Sequence, residues 1–436
     1  MKGSKSKMEN TKGLMTFIEN ATSPFHTIMG CDEMLSKAGF EKLEIGEKWN
    51  LEKGGRYYMV FAATSVFAFT IGKNMEARDA MRFTAGHGDF PGFRIKPNPD
   101  TKVDGYLELN MEVYGGVNLS SFMDRPLSAA GRVVLKSGEI FKPDVRYVDI
   151  KEPFMIIPSS AIHLTRELLG KTAELNKQTR MEPVWGSEDI TGKQLKNFRS
   201  YLAEKMGVNA DDILEYELNI YNTDKPEFVG ANEEFVSAPR LDDISSVYAI
   251  MEGMKVSKPE RGLHMGIVYD HEEIGSRTKV GAQSNILPLL LEKIYASLGY
   301  TKEELISALQ DSLMLSADVA QGVHPNYKEK YDPTNRPILN GGFCVKEAQV
   351  QSYVTDSIAI GIVEQLCKKH EIRYQKCVNR NDMPSGSTLG SLVQAVLPIK
   401  AVDMGIPLLS MHSARELGGV RDIEALVEVM KAFYTE

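Results

Sequence analysis

Cysteine is scarce in this chain: Cys31, Cys344, Cys367 and Cys377 are the only four in 436 residues. None stands beside another at metal-binding spacing, so a disulfide framework is not expected, and scattered thiols suit a reducing compartment. An excess of positive charge is missing too. Lysine and arginine number 51 against 59 aspartates and glutamates, a net charge of -8. That argues against nucleic acid as the main partner, because phosphate binding needs clustered cations. No uninterrupted apolar run is long enough to span a bilayer. The start, Met1-Lys2-Gly3-Ser4-Lys5-Ser6-Lys7, has charge without the apolar core of a signal peptide. A soluble, cytoplasmic protein with no membrane partner is the expectation.

What is present looks globular, with 42% hydrophobic and 25% charged residues. The length exceeds one ordinary core, so two domains or one large elaborated domain are expected. Hydrophobic periodicity predicts helix over 11–40, interrupted at Ser23-Pro24, then paired strands over 57–71 and another strand from Met81 to Asp89. Composition shifts after Lys96-Pro97-Asn98-Pro99. From there the pattern is β-rich, with a helix over 161–171 and a polar stretch over 172–212. Residues 98–234 are read as a domain inserted into one formed by 1–97 and 235–436. In the resumed part, an amphipathic helix is predicted over 244–256, and further helices over 287–298, 350–369, 387–396 and 423–434. Strands are predicted over 265–270, 312–317 and 372–378. Alternation of strand and helix at βαβ spacing implies a mixed, largely parallel α/β sheet covered on both faces.

The candidate site starts from the strand that ends in Tyr269-Asp270-His271-Glu272-Glu273 before a Gly-Ser turn. Carboxylates at the carboxyl end of a buried strand sit where open α/β sheets bind ligands. Adjacent side chains on an extended backbone diverge, which would separate a metal ligand from a proton carrier. An acidic loop capping the strand is the bland alternative. Four more apolar runs also end in metal-competent residues: Gly86-His87-Gly88-Asp89, Arg240-Leu241-Asp242-Asp243, Ser316-Ala317-Asp318-Val319 and Met411-His412-Ser413. Alone, each is weak; Asp242 and Asp243 could simply cap the following helix. Together, imidazoles and carboxylates without thiolate form a set for zinc-type hydrolysis. Two histidines with three carboxylates suit two metal ions around a bridging hydroxide. Asp89, two residues beyond His87, falls on the same side of an extended strand and can orient its imidazole.

These motifs resemble the aspartyl aminopeptidases, co-catalytic dinuclear zinc exopeptidases related to the vacuolar aminopeptidase of yeast. The likeness runs nearly end to end, through Ile157-Pro158-Ser159-Ser160-Ala161-Ile162-His163, Val323-His324-Pro325-Asn326-Tyr327 and Asn381-Asp382-Met383-Pro384-Ser385-Gly386. The resemblance implies metal ligands His87, Asp242 (bridging), Glu273, Asp318 and His412, with Glu272 as general base and Asp89 orienting His87. It implies two divalent ions per subunit, zinc first. His163 would reach a neighbouring subunit's site and stabilise the oxyanion, while Lys346 and Met411 would contact the substrate, Lys346 favouring an acidic N-terminal residue. It further implies a peptide substrate, a dimerising inserted domain and assembly into a tetrahedral dodecamer. Gly88, Phe90, Ser159, Gln321 and Met383 depart from the family pattern, and Phe90 and Met383 make a pocket more apolar.

The leading expectation is a metal-dependent aminopeptidase acting on N-terminal Asp or Glu. A neutral-residue aminopeptidase or a deacylase on the same scaffold stands as the alternative, and a non-enzymatic assembly protein with a relict site as a third. As bland readings, Lys346 is a surface lysine and His163 an ordinary helix histidine.

Overall fold

The computed structural model describes residues 8–164, 175–188, 197–383 and 386–436. The chain divides into two units, Met1–Asp89 with Pro226–Met411 and Glu416–Glu436, and Phe90–Lys225 with His412–Arg415. Among the described residues, the first unit has a nine-stranded sheet. Its order is Glu41–Lys42, Arg56–Phe61, Ser65–Ile71, Leu263–Tyr269, Met81–His87, Leu313–Ala317, Lys400–Gly405, Phe343–Glu347 and Tyr374–Val378. The four strands from Leu263–Tyr269 to Lys400–Gly405 run parallel, and antiparallel neighbours flank them. This is the mixed, largely parallel α/β sheet that the alternation predicts. No helix among the described residues is long and apolar enough to cross a membrane.

Strand Leu263–Tyr269 is buried at every position, as a strand covered on both faces must be. Met265, Ile267 and Tyr269 share a core with residues of helices Ile286–Ser297, Lys302–Leu309 and Leu389–Val396. The alternate residues face the other way. A β-carbon on Gly266 would stand 2.6 Å from Met254 Cγ and 3.0 Å from Ile250 Cγ2, so glycine lets helix Leu241–Val256 approach the sheet. That helix is not the amphipathic one expected. It is buried almost all round, packed against Val420–Thr435 with Gly253 facing Met430 and Tyr434. A helix enclosed by sheet and helix has no wet face to mark with polar residues.

Register places the ends of the strands. Tyr269 lies opposite His87, and Ala85 opposite Ser316. The segments leaving these three parallel strands therefore emerge together at the carboxyl edge of the sheet. A five-stranded sheet in the same unit joins Glu227–Val229, Phe235–Ala238, Glu416–Gly419, Pro407–Leu409 and Ala320–Gln321.

The second unit carries, among the described residues, a six-stranded antiparallel sheet in the order Asp144–Asp149, Leu127–Leu135, Ile213–Asn222, Gly92–Val103, Tyr106–Tyr114 and Val184–Ser187. Helix Phe198–Met206 lies in the polar stretch that showed no periodicity; fully buried Phe198 packs its ring 6.1 Å from Trp185 and 5.8 Å from Tyr216.

The split differs from 98–234 at both ends. Strand Gly92–Val103 runs straight through the composition shift, with its register breaking between Ile95 and Asp100, where Pro97 and Pro99 fall. Prolines cannot donate to a ladder and collect at such irregularities, so here they mark a bulge rather than a boundary. At the other end, Glu227–Val229 pairs with Phe235–Ala238, which pairs with Glu416–Gly419, so the chain returns to the first unit at Pro226 rather than at 235. The helix expected over 350–369 is Ser357–Lys369, because Asp356 caps it with Oδ1 accepting the Ile358 and Ala359 N–H groups at 2.8 and 3.2 Å. Of the helix expected over 161–171, residues 162–164 form a turn after Ala161; 165–171 lie outside the described residues. Asp356→Ala should cost about 0.5–2 kcal/mol, read as a lower urea midpoint at unchanged m-value; an unchanged midpoint would contradict this helix start.

Candidate metal centre

His87 ends its strand almost wholly buried. Its Nδ1 lies 3.0 Å from the Asp89 carbonyl oxygen and 3.4 Å from Asp89 Oδ1. Nδ1 is therefore the protonated nitrogen and Nε2 carries the lone pair. Around Nε2 stand carboxylate oxygens of Asp242 at 3.6 Å, Asp243 and Asp318 at 3.9 Å, and Glu272 at 4.0 Å. These separations are too long for hydrogen bonds. They approach the spacing of about 3.4 Å between two ligands of one tetrahedral cation. Within the first unit the ligand atoms fall into two groups that could each hold an ion: His87, Asp242, Asp243 and Asp318, and His87, Glu272 and Glu273.

Asp89 does more than orient the imidazole. Its Oδ1 accepts the Glu272 N–H at 3.1 Å and its Oδ2 the Glu273 N–H at 3.2 Å. Those bonds hold the short 3-10 turn Glu272–Ile274, entered through left-handed His271 and left through Gly275 at φ 94°. The divergence expected on an extended backbone does not apply. Both glutamates lie in a turn and offer oxygens to the same group as His87.

Asp242 and Asp243 interrupt the start of helix Leu241–Val256 with non-helical dihedrals, and the peptide bond between them is cis. The Asp242 N–H donates to Glu416 Oε2 at 3.0 Å, and the His87 N–H donates to Asp243 Oδ2 at 3.3 Å. Asp243, which the resemblance does not assign as a ligand, joins the ligand group. The sign available in the sequence was its adjacency to Asp242. A β-carbon at Gly86 would lie 3.1 Å from Asp243 Oδ2, so the glycine before His87 makes room for that carboxylate. Asp243 Oδ1 is buried and accepts no hydrogen bond among the described residues. A buried carboxylate oxygen left in this way suits a cation.

Lys346 is not the surface lysine of the bland reading. It is buried, and its Nζ donates to Asp318 Oδ2 at 3.3 Å and to the Val319 carbonyl at 2.9 Å. The structure thus brings together His87, Asp89, Asp242, Glu272, Glu273, Asp318 and Lys346 in the first unit. Met411 is half-buried beyond strand Pro407–Leu409. His412 belongs to the second unit, where its Nδ1 lies 2.8 Å from the Gly116 carbonyl oxygen. The proton is thus on Nδ1, leaving Nε2 as the ligand-type nitrogen. His163, also in the second unit, is exposed in the turn at 162–164.

So many carboxylates in one buried place disturb one another. Burial first, then Asp318, Asp89 and Asp242, push Glu272 up to about 8 despite the opposing pull of His87. Burial likewise raises Asp243 far above the carboxylate range. For His87, burial works against the imidazolium, but Asp243, Asp318, Asp89 and Glu272 outweigh it and raise the pKa. Asp318 goes the other way: burial would raise it, yet Lys346 and His87 hold it below its usual value.

Comparison with known proteins agrees with this donor set. The pattern of the aminopeptidase I zinc metalloprotease (M18) family matches residues 17–434. A probable M18 family aminopeptidase 2 of Clostridium novyi (strain NT) is 41% identical over 433 residues, covering 99% of each chain. In a cryo-electron microscopy structure of the Ape4 and Nbr1 complex, a chain 30% identical superposes with a TM-score of 0.94, over 98% of this chain and 86% of that one. The mApe1 dodecamer of S. cerevisiae, at 24% identity, shares the fold with a TM-score of 0.84 over 98% and 97% of the two chains.

The electrostatics give a pH prediction for metal-stripped protein. Groups whose pKa is raised by folding bind more protons in the folded state, so stability falls as pH rises through the interval between their unfolded and folded values. For Glu272 this interval runs from 4.5 to about 8, and His87 acts from 6.5 upward. Asp318, with a lowered value, acts only below 3.8, and His264, lowered by burial to about 3, acts only below 6.5. The metal-stripped protein should therefore lose thermal stability between about pH 6.5 and 8, and added zinc should remove the slope. A melting temperature that is flat or rises over this range without metal overturns the assignment.

Proposed function

The chain belongs to the aminopeptidase I zinc metalloprotease (M18) family and is a metallo-aminopeptidase; from that premise we propose that it removes N-terminal residues, Asp and Glu first, from peptides. Two divalent ions per subunit, zinc first, would be held by His87, Asp242 (shared between them), Glu273, Asp318 and His412. The observation that carries this reading is the ring of four carboxylates at 3.6–4.0 Å around His87 Nε2. When bound, the ions supply Lewis-acid polarisation of the scissile carbonyl and an attacking water of lowered pKa.

The protein's own groups do the rest. Glu272, fixed through its N–H by Asp89, takes the proton of the attacking water and passes it to the leaving amine. Asp89 keeps His87 in the tautomer that presents Nε2. His163 stabilises the oxyanion in a neighbouring subunit's site. Its neighbours Ile162 and Leu164 are 59% and 82% exposed, an apolar tip suited to another surface. Met411 lines the substrate site. Self-association proceeds through the second unit and reaches a tetrahedral dodecamer, the subunit number of the S. cerevisiae protein of like fold. The six-stranded sheet offers an edge strand, Asp144–Asp149, with Val145 and Tyr147 exposed, of the kind that pairs with a second chain. Among the described residues all four cysteines are buried and free, which supports a cytoplasmic location.

The preference for Asp and Glu rests on the whole-chain resemblance rather than on Lys346. The engagement of Lys346 by Asp318 favours a second reading, a neutral-residue aminopeptidase. Asp-, Glu- and Leu-aminoacyl reporters, with an N-acyl amino acid as control, decide between them. Faster turnover of Asp and Glu is expected, with the N-acyl compound untouched; equal rates would leave the neutral reading, and cleavage of the N-acyl compound a deacylase. Glu272→Gln should retain two zinc ions per chain by metal analysis while losing on the order of 10²–10⁴-fold in kcat. A near wild-type rate would exclude Glu272 as the base.

A further inference from the structure

Helix Leu241–Val256 is entered through Arg240, which is left-handed at φ 58°. An arginine side chain has no acceptor to offer a helix start. The first amides of a helix have no partner within it, so a buried start needs acceptors from elsewhere. Strand Glu416–Gly419 supplies one. It pairs antiparallel with Phe235–Ala238, Glu416 standing opposite Ala238, and the chain then turns at Pro239 and Arg240 into the helix. Glu416, 2% exposed, reaches across that turn and accepts the Asp242 N–H on Oε2 at 3.0 Å.

Glu416 and Gly418 stand two residues apart on one strand and face the same way. A β-carbon on Gly418 would lie 3.2 Å from Leu408 Cδ2 and 3.4 Å from Leu241 Cδ1, so the glycine lets this strand face lie close against the start of the helix. A carboxylate enclosed there persists only if it is hydrogen-bonded, and the positive end of the helix favours it further. The residue it holds is a candidate ligand. Asp242 has φ -81° and ψ 109°, outside the helical range, so helix geometry does not set its orientation. Its carboxylate is buried and lies 3.6 Å from His87 Nε2.

We propose that Glu416 is a positioning residue for the metal pair: by accepting the Asp242 N–H it fixes the carboxylate that the two ions share, and its loss weakens both ions together. The proposal rests on the metallopeptidase reading, with Asp242 as the shared ligand, and deepens it. A residue that steadied a ligand of one ion would weaken that ion and spare the other. A residue that only capped the helix would lower stability and spare both. A hydrogen-bonded partner outside the ligand set fixes ligand geometry, and its loss typically lowers metal affinity or activity about 10–100-fold.

The test titrates the full-length protein with zinc in competition with a chromophoric chelator, comparing wild type with Glu416→Ala, Glu416→Asp and Glu416→Gln. Uptake of two zinc ions and turnover of an aminoacyl reporter by the wild type are checked first; failure there overturns the metallopeptidase reading, and the proposal with it, on the wild type alone. Glu416→Ala removes the acceptor, and Glu416→Asp withdraws it by one methylene while keeping the charge. Both should raise the two zinc Kd values in step, about 10–100-fold for Glu416→Ala. Glu416→Gln, which keeps an oxygen acceptor at full length, should recover most of the affinity for both ions. Thr301→Ala is the control, since Thr301 caps helix Lys302–Leu309 through its own capping box. It should lower the melting temperature and leave both zinc Kd values unchanged. Glu416→Ala behaving like Thr301→Ala would overturn the proposal and make Glu416 a helix cap. A rise in one Kd with the other at its wild-type value would overturn it as well. If Glu416→Ala does not fold by circular dichroism, Glu416→Asp decides: two constants raised together support positioning, and wild-type constants overturn it.

Discussion

Asp89, Asp242, Asp243, Asp318 and Glu272 are gathered around one imidazole in a pocket that water hardly reaches. Charges of one sign cannot all persist there without compensation, because burial removes the solvent that would screen them. Without a cation the strain shows as Glu272 and Asp243 holding protons well above the carboxylate range. A divalent cation held there would remove that conflict and turn the crowding into affinity. The arrangement of the rest of the first unit follows from the need to collect these groups and keep them collected.

Collection is the work of strand register. Three parallel neighbours end level with one another, so residues more than two hundred positions apart in the chain arrive at one sheet edge. Retention is the work of backbone hydrogen bonds. The N–H groups of Glu272 and Glu273 are held by Asp89, that of His87 by Asp243, and that of Asp242 by Glu416. These four residues are thereby fixed at the main chain by other acidic side chains. A ligand set fixed in this way is preorganised, and little has to move when a cation arrives.

Much of this was legible beforehand. The strand ends at His87, Asp270 and Asp318 were plain from apolar runs that stop in polar residues, and the break at Ser23-Pro24 was read from local chemistry that the fold leaves intact. Other features were hidden for physical reasons. The enclosure of Leu241–Val256 on all sides depends on what packs over it, which periodicity within the helix cannot report. The sharing of one turn by Glu272 and Glu273 depends on Asp89, a distant residue that supplies the acceptors. Asp403 sits inside the apolar run Ala401-Val402-Asp403-Met404, and a carboxylate there was a signal that passed unused.

By itself the amino-acid order determined the alternation of strand and helix, the chemistry of the donor set and the absence of thiolate from it. These are properties of neighbouring residues and of side-chain type, and they do not depend on how the chain returns on itself. Tertiary structure alone decided that Asp243 stands with the ligands, that Lys346 faces Asp318 rather than open space, and that Pro97 and Pro99 fall inside a strand. Those outcomes are contacts between segments far apart along the chain. They are set by register and packing, which no local pattern encodes.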